Sequence, residues 1–114
     1  MSRGIVLGIV PSGSAAESAV DNLTEQDFSE RNISVIMRNE SDARAIAGDR
    51  GPLQGVTASD LPARLNSLGL TQVDDYTAAV DEGQALIAVI AHGDDADAVK
   101  ATLASYSARN VQEV

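Results

Sequence analysis

His92 is the single histidine of the chain, and Gly93-Asp94-Asp95 follow it directly. An imidazole beside carboxylates can move protons in general acid–base catalysis or contribute to a cation site. Neither role is completed by its neighbours. The chain has no Cys, no nucleophile is identifiable beside the histidine, and a metal site needs three or more protein ligands. A strand-end residue ahead of a helix start accounts for His92 equally well. The turn Pro11-Ser12-Gly13-Ser14 is a second candidate, because free amides at a helix N-terminus can hold an anion. A single glycine lacks the spacing of a phosphate-binding loop, and a turn with an N-cap explains the same residues. Ser12, Gly13, Ser14 and His92 are therefore kept as weak candidate contacts for a small-molecule ligand. No residue is assigned to catalysis, to a metal or to a cofactor.

The acidic clusters Asp74-Asp75 and Asp94-Asp95-Asp97 invite a cation reading. Both fall where helices are expected to begin, and carboxylates are favoured there by the helix dipole. Neither has the alternating spacing of a calcium loop. Tyr76 and Tyr106 sit on apolar helical stripes, which predicts core packing with each hydroxyl reaching the surface.

Composition narrows the function classes further. Seventeen acidic against eight basic residues give a net charge of −9, a field that repels phosphate backbones and anionic lipid surfaces. Aromatic residues make up only 3 % of the chain, too few to build base-stacking platforms. Nucleic-acid and membrane partners are not expected. After Met1-Ser2-Arg3-Gly4 the apolar run is only Ile5 to Val10, too short for a signal peptide or a membrane span, so the expected location is cytoplasmic.

The elements that would position these residues are clearly punctuated, and 114 residues suit one domain. Ile5 to Val10 reads as a strand buried on both faces. Ser14-Ala15-Ala16-Glu17 has capping-box spacing and predicts a helix with Ala16, Val20 and Leu23 on its apolar stripe. Ile33 to Arg38 alternates as an edge strand with one wetter face. A short helical turn at Ser41 to Ala47, closed by Gly48, precedes a polar loop from Asp49 to Ala58. Pro62 in a first turn with Leu61, Leu65 and Leu68 predicts a helix ended by Gly69; Val73, Tyr76 and Val80 predict another ended by Gly83. Ala85 to Ala91 is a second apolar strand, followed by a helix capped by Asp94 and a last strand from Val111 to Val114.

An internal repeat ties these elements together. Phe28-Ser29-Glu30-Arg31-Asn32-Ile33 recurs as Tyr106-Ser107-Ala108-Arg109-Asn110-Val111, identical at three of six positions and offset by 78, while the preceding strands align at an offset of 80. Each half then reads as strand, helix, strand. Two such halves interleave into an α+β ferredoxin-like sandwich, with the apolar strands central and the alternating ones at the edges. Repeat one covers about 4–38, a short helical insertion about 39–83, and repeat two about 84–114. With both repeat helices on one face, Ile5, Leu7, Ile9, Ala85, Ile87 and Val89 are expected on one side, and Val6, Val10, Leu86 and Ile90 on the other. Wet apolar side chains forfeit roughly 1.5–3 kcal/mol each, so the open face needs a cover. Either the insertion supplies it or a second copy does, and a homo-oligomer is the expected form.

Gly69-Leu70, Tyr76, Val80, Gly83 and Leu86-Ile87-Ala88-Val89, with the acidic helix start and the terminal Asn-Val motif, resemble bacterial general-stress proteins of the heat-induced or low-temperature-induced type. The strand, helix, strand and acidic turn across Ile5 to Ala47 are similar to the N-terminal half of that family. Its members often carry a long Gly-rich apolar central segment, whereas Asp49 to Ala58 is short and polar here, so no membrane association is carried over. The family has no settled activity, and the resemblance transfers no catalytic residue. It implies the fold, a cytoplasmic location and a stress association; the expected function is that of a non-enzymatic, stress-associated structural or interaction protein working through its oligomeric face. The alternative is a small-molecule-sensing regulatory module with its ligand near Pro11 to Ser14. A cofactor-free enzyme would require His92 to point into a cavity.

Overall fold

The computed structural model describes residues 4–47, Leu53, Val56 and residues 59–113. Strand β1 (Ile5–Val10) leads into helix α1 (Gly13–Glu25), and a 3-10 turn over Glu30–Asn32 opens strand β2 (Ile33–Ile36). Helices α2 (Glu40–Ala47), α3 (Leu61–Ser67) and α4 (Val73–Asp81) follow. Strand β3 (Ala85–Ile90), helix α5 (Asp94–Ser105) and strand β4 (Arg109–Glu113) are the last elements among the described residues. The four strands form one antiparallel sheet in the order β2-β3-β1-β4. Each strand–helix–strand unit therefore brackets one strand of the other unit, with the two apolar strands inside and the shorter ones at the edges.

The antiparallel register fixes which side chains share a face, because directly opposed residues project to the same side. Ile5 faces Ile90 and Val6 faces Val89. Val6 and Val10 consequently join Ala85, Ile87 and Val89 beneath α1 and α5, in a core with Ala16, Val20, Leu23, Val99 and Leu103. Ile5, Leu7 and Ile9 join Leu86 and Ala88 on the other side. This corrects the sequence reading, which paired Ile5, Leu7 and Ile9 with Ala85, Ile87 and Val89. The even repeat offset kept parity between β1 and β3, whereas the observed register swaps it.

The face opposite α1 and α5 is closed by the insertion itself. Leu53, Leu61, Leu65, Leu70, Tyr76, Ala79 and Val80 form one buried cluster with Ile5, Leu7, Ile9, Ile36, Leu86 and Ala88. Of the two covers the sequence left open, α3 and α4 supply this one. Among the described residues, every Val, Ile, Leu, Met, Phe and Tyr is at least partly buried. Burying a large aliphatic side chain is worth roughly 1.5–3 kcal/mol, so this second core contributes on the same scale as the first.

Several local expectations are also corrected. Strand β2 lies at an edge but is buried along its whole length; on the supposedly wet face Leu53 packs in one cluster with Ile36, and its amide donates to the Ser34 hydroxyl at 2.9 Å. Leu53 falls within the stretch read as a polar connecting loop, most of which lies outside the described residues, as does Gly48. Ser12, not Ser14, caps α1, its hydroxyl accepting from the Ala15 amide at 3.2 Å. Gly93 is the N-cap of α5, leaving Asp94 as its first helical residue. Strand β4 begins at Arg109, two residues earlier than expected.

The hexapeptide repeat occupies different local structure in its two copies. After α1 the chain turns through Asp27 at φ 72°, and the Phe28 amide reaches back to the Leu23 carbonyl; after α5 it turns through Ser107 at φ 63°, and Ala108 reaches back to Leu103. Geometry thus equates Phe28 with Ala108, while the sequence match equates it with Tyr106. Glu30–Asn32 form a 3-10 turn, whereas Arg109 and Asn110 already lie in β4.

Candidate functional site

β1 carries the two weak candidate regions apart. The Pro11 to Ser14 turn follows the end of β1, while His92 follows the end of β3, whose last residue, Ile90, pairs with the first residue of β1. They therefore sit at opposite ends of the sheet. A six-residue strand separates them by on the order of 20 Å. Ser12, Gly13 and Ser14 cannot act with His92 on one small ligand.

His92 is exposed, and its ring lies against Gly4: a methyl group placed on Gly4 would run into the imidazole. Gly4 holds φ at 72°, and its carbonyl accepts from the Ala91 amide at 2.6 Å. The exposed ring is thus packed on the backbone entering β1. Asp94, Asp95 and Asp97 lie exposed in the first turn of α5, and Asp74 and Asp75 in that of α4. Among the described residues no group of three His, Asp or Glu gathers in metal-binding geometry.

At the other end of the sheet the Ser12 hydroxyl is already engaged in capping, and Ser14 is exposed within the first turn. Ser12→Ala is expected to destabilise the chain by about 0.5–2 kcal/mol, whereas Ser14→Ala should leave stability within about 0.5 kcal/mol of the parent. Denaturant titration of both variants checks the assignment. Equal losses would contradict it.

Met37, a neighbour of Gly13, lines an open cleft of about 710 Å³ together with Arg38, Asn39, Ser41, Asp42 and Gly83. Contact is direct, since a Cβ on Gly13 would lie 3.0 Å from the Met37 methyl. Asn39 shapes the floor: its side-chain oxygen accepts from the amides of Ser41 at 3.0 Å and Asp42 at 3.2 Å, capping α2. Those amides are consequently already satisfied. The Arg38 guanidinium reaches the Asp81 carbonyl at 3.5 Å, tying the end of β2 to the end of α4. Sequence reasoning missed Asn39 and Met37. The spacing of Asn39 ahead of Ser41-Asp42 is a cap signal, but nothing in it reveals that Gly83 is brought alongside.

Tyr76 is the most constrained polar side chain. Fully buried, it donates its hydroxyl hydrogen to the Asn110 carbonyl and accepts from Gln112 Nε2 at 3.0 Å. Gln112 in turn donates to the Thr71 carbonyl at 3.0 Å and accepts from the Thr71 hydroxyl at 3.0 Å. The expectation of a hydroxyl reaching the surface is corrected: it is consumed in locking α4 to β4. Burial pushes the Tyr76 phenol above its usual pKa, with the Gln112 hydrogen bond opposing and the Asp75 charge adding to the rise. Tyr106 is half-buried, and its oxygen accepts from the Asn22 amide group at 3.2 Å across the α1–α5 seam.

No helix among the described residues is long and apolar enough to cross a membrane. No protein-family model, curated protein or solved structure matches the chain.

Proposed function

We propose that the chain is a ferredoxin-like sandwich of two βαβ units with a helical insertion between them, and that it is a cytoplasmic, non-enzymatic, stress-associated interaction protein. The fold reading is supported by the strand order β2-β3-β1-β4, in which each unit brackets a strand of the other. Closure of both sheet faces by the chain's own helices carries the functional reading. With the large apolar side chains of the described residues at least partly buried, contact with other molecules falls to an acidic polar exterior. The open sheet face that motivated a homo-oligomer is occupied by α3 and α4, so this reading has the protein working as a single chain.

The stress association rests on the resemblance, and the fold gives its residues a physical role. Leu70, Tyr76, Val80 and Leu86 to Val89 are all buried, while Gly69 and Gly83 close α3 and α4 at positive φ. Leu70, Tyr76, Val80, Leu86 and Ala88 seat the insertion on the sheet, while Ile87 and Val89 pack under α1 and α5, and together they support a shared architecture rather than a shared site. Abundance of the protein before and after heat, cold or osmotic challenge tests the association. Accumulation on challenge is expected, and an unchanged level under all three would overturn it.

A second reading, small-molecule sensing, is favoured by one observation: Met37, which lines the cleft with Asn39 and Gly83, neighbours Gly13 of the Pro11 to Ser14 turn. Backbone amide shifts of Gly13, Met37 and Gly83, recorded while a panel of small metabolites is titrated, test this reading. Saturable shifts confined to these residues would favour sensing over surface contact.

A further inference from the structure

We draw no further inference here: the strongest candidate, the outer edge of β4 with Arg109 and Glu113 at its ends, has its pairing with β1 shifted between Leu7 and Ile9 and holds Asn110 at φ 54°, an irregularity that blunts strand pairing, and nothing in the structure shows what covers it.

Discussion

Leu86→Asp is expected to leave the chain unfolded or aggregated at neutral pH. Leu86 is fully buried in β3, opposite Ile9 of β1 and Ile36 of β2, beneath α3 and α4. Domains of this size are stable by only about 5–15 kcal/mol, and an unpaired buried carboxylate costs several kcal/mol beyond the lost apolar contact. That variant alone does not say what provides the cover. Leu65→Ala does, because Leu65 is fully buried but belongs to α3, outside both strand–helix–strand units. Its truncation is expected to cost about 2–5 kcal/mol, measured by denaturant unfolding. A change under about 0.5 kcal/mol would mean that α3 is not seated on the sheet.

Tyr76→Phe is expected to destabilise the chain by about 1–3 kcal/mol, since it strips the Asn110 carbonyl and the Gln112 amide of a shared partner while leaving the ring in place. Alkaline pH separates this lock from simple packing. Burial holds the Tyr76 phenol above 10.0, so between that value and its folded pKa the folded chain keeps a proton that the unfolded chain has released. Fewer protons bound in the unfolded state means that stability falls as pH rises through this window. Below it, the contribution is fully present. The Lys100 ammonium, held up by hydrogen bonding to Glu113 at 2.8 Å, titrates in the same direction. Comparison with Tyr76→Phe isolates the phenol: the variant should lose less stability than the parent from pH 10 upward. Parallel curves would contradict a buried, hydrogen-bonded hydroxyl.

Much of the architecture is legible in the residues because the signals are local. The continuous apolar runs at Ile5 to Val10 and Ala85 to Ile90 mark central strands, and Gly69 and Gly83 mark helix ends, since each such signal needs only near neighbours. The face assignment failed because it depends on register, a long-range property: a shift of one residue moves a whole strand's side chains to the other side. Ser34 reads as a wet position and is 2 % exposed, because the amide that buries it belongs to Leu53, far along the chain. Tyr76 reads as an ordinary helical stripe residue; its partners lie in β4, which no periodicity within α4 can disclose. The candidate site was the least legible part. Ser12, Gly13, Ser14 and His92 carry suggestive chemistry, but the sheet sends them to opposite ends. The cleft lined by Met37 is assembled from the ends of β2 and α4 and the start of α2, elements whose meeting is set by topology rather than by motif.

Native mass spectrometry of freshly purified protein tests the central claim most directly, because it counts subunits and retained small molecules together. A sheet closed by its own insertion, with the large apolar side chains of the described residues at least partly buried, predicts one chain with nothing bound. A stable dimer or higher assembly would contradict the single-chain account and return the search to an intermolecular cover.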